Sequence, residues 1–364
     1  MRPRGAILMA GLVLSTLAMA PPAVSPRPTA VSQAPSGPQP PSGPAGQQPV
    51  PTPLPNEQAR PSVITVESAL VTVDVLVTDD KGRVLTALKK DNFRILDNGQ
   101  PQRVTTFAPV NAPITIVLLL EYSEAASDYF AYKSASWGSD FLRHLESQDW
   151  VALVTYDMNP AVRVDFTRNK AAVQDALYSL GYPPFHETNL FDAVIDTLDR
   201  LQPIQGKKSV LLITTGYDTF SEHTLDATYK RLKESDATVF CIGMAESEYG
   251  LSEAGGLSYL QAKNQLDTFS RLTGGLAWFP RFQGELPSIF KSVTGFLRNQ
   301  YALGFSPLEP ARDGKYHKLT VQVVGADGRP LTVVDEKGKR HKVEVHAREG
   351  YTASKRPPEN RART

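Results

Sequence analysis

The side chains best placed to do chemistry stand in three short polar stretches. Glu121-Tyr122-Ser123-Glu124-Ala125 follows the uncharged run Ile114–Leu120, and Glu187-Thr188-Asn189 precedes an amphipathic segment. Thr215-Gly216-Tyr217-Asp218 follows the apolar Ser209–Thr214 and leads to Phe220. Hydroxyls at such places are natural helix caps, which would suit Ser123, Ser127 and Thr188, while Glu121 and Glu124 suit the positive end of a helix. The catalytic option is a serine hydrolase, with Ser123 as nucleophile and His186 as base, yet no G-x-S-x-G elbow surrounds Ser123. His144, His186, His223, His317, His341 and His346 are scattered without an HExxH pattern, and the last two are expected in solvent on a β segment. No phosphate-cradling glycine pattern follows a strand, and Gly255-Gly256 is expected in a polar loop. The aromatics around Tyr249, Tyr259, Trp278 and Phe279 are expected to fill cores or line a surface. Cys241, the single cysteine, lies in TVFCIG and is expected as a small buried hydrophobe.

The elements that would position the three stretches follow from periodicity. Ile114–Leu120 does not alternate and carries no charge, which suits a strand buried on both faces of a parallel sheet; such a strand delivers Glu121 and its successors to the sheet's carboxyl edge, where ligands of open α/β sheets sit. Trp150–Tyr156, Ser209–Thr214, Thr238–Gly243 and Leu276–Phe279 are further strands, and Ala161–Phe166 is expected at an edge. Between them, helical spacing predicts helices over Ala131–Leu145, Lys170–Leu180, Leu190–Leu201, Leu225–Glu234, Tyr259–Leu272 and Pro287–Asn299. That alternation predicts a doubly wound, Rossmann-like, mostly parallel sheet. Both flanks are instead patterned as short strands with Gly and Asp turns, and are expected to join into one β-rich accessory module.

The chain has 364 residues, 41% of them hydrophobic, with Lys+Arg 39 against Asp+Glu 38. So near-neutral a balance gives no electrostatic sign of nucleic acid or an anionic membrane as partner. Arg2, Arg4, the apolar Ala6–Leu17 and Ala18-Met19-Ala20 form an expected export signal over 1–20, too short to be a comfortable span, with Pro21 an awkward neighbour for cleavage. Residues 21–61 are rich in Pro, Ser, Gly and Gln and are expected as a disordered spacer. The remaining expected divisions are a β-rich segment 62–110, an α/β domain 111–300, a β-rich segment 301–352 and a disordered tail 353–364. Absence of a disulfide fits a bacterial envelope location, whether periplasmic, envelope-associated or secreted.

The order of strand with acid-x-serine, Thr188 before an LxDAV-type helix, and LLIT-x-G after a strand resembles the von Willebrand factor type A domain. Within that superfamily the stretch from Val71 to Tyr351 resembles the acidobacterial von Willebrand factor A-related group, through VTVDVLVTDDKG, DNFRILDNGQPQRVTTF, DWVALVTYD, TNLFDAV, QYALGFSP and AREGYTA. The resemblance implies a metal-ion-dependent adhesion site, in which Asp-x-Ser-x-Ser, a Thr and a second Asp hold Mg²⁺ and leave one position for a partner's carboxylate. Carried over by position, the first Asp falls on Glu121, the first Ser is kept as Ser123, the second is lost at Ala125, the Thr is Thr188, and the second Asp falls on Thr215. Mg²⁺ demands six hard oxygens at about 2.0–2.1 Å, so the expected site is degenerate, with Asp218 or Glu124 as possible compensation and Mg²⁺ or Mn²⁺ as the only candidate ions. The function implied is an exported, non-enzymatic, protein-binding module. Tyr122, Tyr217 and Phe220 are its expected exposed anchors, with Glu124 and Thr215 beside them. A metal-free envelope scaffold is the alternative, and its partner protein is not specified by the residues.

Overall fold

A computed structural model of the chain describes residues 70–109, 112–126, 134–244, 253–307 and 314–353. The expected export signal, the proline-rich spacer, Ser127, Tyr249 and the tail beyond Ala353 lie outside the described residues. Strands β1 (Val71–Asp79), β2 (Phe93–Asp97), β3 (Gln100–Gln102) and β4 (Val104–Pro109) come first. The α/β part runs β5 (Ile114–Glu121), α1 (Ser134–Arg143), β6 (Trp150–Tyr156), β7 (Pro160–Thr167), α2 (Lys170–Tyr178), α3 (Leu190–Leu201) and β8 (Lys207–Thr214). It continues through α4 (Leu225–Glu234), β9 (Thr238–Gly243), α5 (Glu253–Thr273), β10 (Ala277–Trp278) and α6 (Leu286–Arg298). Strands β11 (Tyr301–Phe305), β12 (Tyr316–Val323), β13 (Thr332–Val334), β14 (Arg340–Ala347) and β15 (Gly350–Thr352) close the order.

The central sheet has the order β10-β9-β8-β5-β6-β7. All its pairings are parallel except β6 with β7, so the expected edge strand runs against the rest. Every residue of β5 is buried, and its pleat sends alternate side chains to opposite layers. Ile114, Ile116, Leu118 and Leu120 pack with Phe141 of α1, Leu177 of α2 and Phe290 of α6. Val117 and Leu119 pack with Val194 of α3, Leu232 of α4 and Phe269 of α5. Two helical layers on one sheet explain why the strand reads as a continuous apolar run, each buried side chain contributing about 1.5–3 kcal/mol. Cys241 is fully buried in β9, and burial pushes its thiol up to about 12, so it is an inert core residue.

Helix α5 begins at Glu253, which places Gly255 and Gly256 in a helix and not in the expected loop. Leu257 and Leu260 in its early turns are exposed, so no buried stripe marks that start in the sequence.

The flanks interleave. β1 lies between β14 and β11 in a five-stranded antiparallel sheet, and β2 pairs with β12 in a four-stranded one. Val73, Val75 and Val77 from the first sheet meet Phe93, Ile95 and Leu319 from the second, so neither flank closes a core without the other. Arg348 ties this sandwich to the α/β part: its Nη2 donates to the carbonyl oxygens of Lys233 and Ser235 at the end of α4, where a cation is favoured.

His341 departs from the expectation of a solvated histidine: its side chain is 1% exposed. Nδ1 lies 2.7 Å from Asp80 Oδ1 and Nε2 lies 3.0 Å from Asp335 Oδ2. Carboxylates only accept, so both contacts are hydrogen bonds when the ring is doubly protonated. The Asp335 and Asp80 carboxylates therefore raise the His341 pKa, against smaller opposing effects of burial and then of Lys81, while His341 and the Lys339 amide hold Asp335 down at about 2. The reason is topological: the turn after β1 and the β13–β14 hairpin bring two acids, far apart in sequence, against one ring. Stability from the charged ring is complete below the unfolded histidine value of about 6.5 and is lost as pH rises through the raised folded value. The urea midpoint is expected to fall between pH 6 and pH 9 more in the wild type than in His341→Gln. Parallel pH profiles would contradict the charged clamp.

Candidate functional site

Strand order reverses between β5 and β8: the chain moves from β5 outward to β6 and β7, then returns to the other side of β5 with β8. Such a switch point opens a crevice at the carboxyl ends of the two strands. Glu121, the last residue of β5, faces Thr214 and Thr215 at the end of β8 in that place. Its carboxylate is fully buried and surrounded by donors from its own chain. Ser123 Oγ donates to Oε1 at 2.7 Å, and Thr214 Oγ1 and the Thr215 amide each donate to Oε2 at 2.7 Å. Thr215 Oγ1 lies 3.0 and 2.9 Å from the two oxygens. Tyr156 extends the network by donating its hydroxyl to Thr214 Oγ1 at 2.8 Å, and its pKa is raised well above the usual phenol value by burial and by the Glu121 charge. Gly216 permits this geometry, since its φ of 84° turns the chain and a Cβ there would meet Ala262 and Leu266 at 3.0 Å.

Around this buried centre the loops are stitched to one another. The Thr219 amide donates to the Thr188 carbonyl oxygen at 2.8 Å, and the Thr188 amide donates to Thr219 Oγ1 at 2.9 Å. Asn189 donates Nδ2–H to the Met158 carbonyl oxygen and accepts the Phe220 amide at Oδ1. Asp192 accepts the amides of Glu222 and His223. The loops after β6 and β8 and the start of α3 are thereby one rigid surface.

Each expected site residue has a definite place in this arrangement. Glu121, Ser123, Thr188 and Thr215 are all buried at the switch point. Thr188 does not cap α3, and its buried hydroxyl lies against the Tyr156 phenol. Ser123 gives its hydroxyl proton to Glu121. Asp218 supplies the missing cap from another loop: Oδ1 accepts the Phe191 amide at 3.0 Å and the Ser221 hydroxyl at 2.5 Å. Its carboxylate thus serves the α3 terminus. Glu124 is half exposed, accepts the Tyr182 hydroxyl at 3.1 Å and lies 3.6 Å from His186 Nδ1.

Tyr122 is a correction to the expected anchors. Strand alternation turns it away from the Glu121 side, leaving it 6% exposed, with its hydroxyl donating to the Gly181 carbonyl oxygen at 2.6 Å and Arg163 over its ring. Tyr217 is half-buried, and Phe220 is exposed. Sequence reasoning missed Tyr156 and Thr214, whose polar atoms lie at the ends of otherwise apolar strands, and the exposed Tyr182 and Phe185. The compact group of histidine and carboxylates found among the described residues, Asp79, Asp80 and His341, lies in the sandwich and not at this edge, and Arg83 occupies Asp79.

Fold and switch-point site define a doubly wound α/β domain carrying a β-sandwich from both flanks. No family model matches the sequence, and no curated relative does. Among solved structures it is similar to a von Willebrand factor type A protein from Catenulispora acidiphila, at 12% identity over 73% of this chain and 76% of that one, with a TM-score of 0.42. An aerotolerance-related membrane protein from Bacteroides fragilis matches at 14% identity over 51% of this chain and 98% of its own, with a TM-score of 0.41. The von Willebrand domain of the pilus tip protein Mfa5 from Porphyromonas gingivalis matches at 12% identity, 51% and 95% coverage and a TM-score of 0.39.

The Glu121 network makes an ordered prediction. Hydroxyls of Ser123 and Thr215 can rotate to accept from an amide, whereas the Thr215 backbone N–H cannot, and each buried donor left without an acceptor costs about 1–3 kcal/mol. Glu121→Gln is expected to lower unfolding stability by roughly 1–2 kcal/mol and Glu121→Ala by about 3 kcal/mol or more. Urea denaturation showing the opposite order would contradict the network.

Proposed function

We propose that this chain is a non-enzymatic protein-binding module that works without a metal ion at its carboxyl edge, and that it is exported to the envelope or beyond. The observation that carries the reading is a surface of exposed Tyr182, Phe185 and Phe220, with Met158, held on mutually hydrogen-bonded loops around a buried carboxylate. Rigid aromatic side chains on a preorganised surface are the usual anchors of protein interfaces. The N-terminal signal features support export, and no helix among the described residues is long and apolar enough to cross a membrane.

Against Mg²⁺ stands the chemistry of the donor set. Glu121 is the one carboxylate among the carried-over positions, both its oxygens already accept hydrogen bonds, and Thr215 and Ala125 stand where further ligands would be needed. The Thr188 hydroxyl, beside the Tyr156 phenol, is a single neutral oxygen and does not restore the set. Against a hydrolase stands Ser123 itself, fully buried with its hydroxyl on Glu121, while His186 is exposed beside Glu124.

Two outcomes are expected. Titration calorimetry of the purified chain with millimolar Mg²⁺ or Mn²⁺ gives no saturable heat; saturable heat that Ser123→Ala abolishes would overturn the metal-free reading. In affinity capture from envelope extracts, Phe185→Ala/Phe220→Ala loses the retained proteins with the fold intact by circular dichroism. Unchanged capture would move the interaction away from this edge.

A further inference from the structure

The polarity of the carboxyl edge says which kind of protein it fits. The described loops around the switch point, 121–126, 157–159, 179–189 and 215–224, contain Glu124, Asp157, Glu187, Asp218 and Glu222 besides the buried Glu121, and neither a lysine nor an arginine; the loop after β10, at the far side of the same edge, carries Arg281 with Glu285. In a chain of net charge +1 this is segregation and not overall acidity. Lys170, Lys207 and Lys208 gather at the opposite edge, where Lys170 Nζ donates to the Asp149 carbonyl oxygen and Lys208 pairs with Asp236. The cations bordering the carboxyl edge are already engaged: Arg163 donates to Thr155 and lies over the Tyr122 ring, and Lys263 lies over Phe279.

The acids alternate with the exposed rings. Tyr182 bonds Glu124, Phe185 stands two residues before Glu187, and Phe220 two residues before Glu222. Interloop bonds join these segments, since the Glu124 amide donates to the Phe185 carbonyl oxygen at 2.7 Å and Thr219 holds Thr188. A guanidinium is suited to such a surface, because its plane stacks on an aromatic ring while its edge donates to a carboxylate. An acidic partner would meet like charge with no metal to receive it.

The geometry points to an arginine-rich, basic segment of a partner protein as the occupant of this edge, bound between Phe185, Phe220 and the carboxylates of Glu187 and Glu222. This rests on the protein-binding reading above and adds the partner's chemistry. It inverts the polarity that the resemblance implies, in which a metal ion receives a partner's carboxylate.

The test uses the full chain and two synthetic fluorescent peptides of equal length, one alternating Arg with Gly and one alternating Glu with Gly, read by anisotropy. Glu187 and Glu222 are chosen for substitution because no loop hydrogen bond uses their side chains among the contacts described. The arginine peptide is expected to bind, the glutamate peptide not. Glu187→Lys/Glu222→Lys is expected to weaken the arginine peptide about tenfold or more, and raising salt from 50 to 200 mM to weaken it in the wild type. Phe185→Ala/Phe220→Ala is expected to weaken it severalfold, and Asp327→Lys, on an exposed sandwich turn, to leave it unchanged. Equal loss with Asp327→Lys, or no loss in the reversed variant, would overturn the basic-partner assignment. If envelope capture is then still lost in Phe185→Ala/Phe220→Ala, the edge stands as an interaction surface with a partner of other chemistry. Capture insensitive to both pairs of substitutions would overturn both readings.

Discussion

A carboxylate with no access to solvent at the end of the central strand constrains the rest of this structure. Removing such a group from water costs several kcal/mol unless neighbouring donors replace its hydration. Glu121 meets that demand with Ser123, Thr214, Thr215 and the Thr215 amide. These donors come from two strands adjacent in space and 93 residues apart in sequence at Thr214. The site therefore exists only when the sheet is closed at β5 and β8, and the positive φ at Gly216 is part of the same requirement.

The crevice at a switch point is ordinarily available to ligands, and here the chain's own hydroxyls fill its deepest part. Polar residues that could have faced outward are turned to internal work: Asp218 to the start of α3, Asn189 to Met158 and Phe220, Asp192 to the loop around His223. What is left to the solvent is the periphery, where Tyr182, Phe185 and Phe220 stand beside carboxylates. Recognition on this edge is thus a matter of a rigid rim and not of a deep pocket.

Charge is divided between the two ends of the sheet for reasons that begin with local structure. At the amino edge, Lys207 donates to the Leu297 carbonyl oxygen at the end of α6, and Arg348 does the same for α4. Cations there answer the negative ends of helices, and burial lowers Lys207 to about 8 despite the nearby Asp74. Acids at the carboxyl edge answer helix amino termini in turn, as Asp218 does for α3. The division that stabilises the helices also makes the carboxyl face acidic.

Much of the architecture was legible in the residues. The uncharged Ile114–Leu120 and Ser209–Thr214 identify strands covered on both faces, since only such strands tolerate an unbroken apolar run, and the strand–helix alternation specifies parallel crossovers. The three polar stretches were expected at the carboxyl edge and lie there, two because a strand's last residues emerge at that edge and the third because it opens the helix that leads into β8. Local pattern could not say how those residues use their hydrogen bonds. Tyr122 is buried and Phe220 exposed through alternation and loop pairing. His341 was expected in solvent, and its two acids come from turns that only the sandwich brings together. Composition and period determine which faces are apolar, a property of neighbours along the chain. Whether Glu121 is bare or saturated was decided by the tertiary structure, because its donors arrive on another strand and a hydrogen bond requires atoms within about 3 Å.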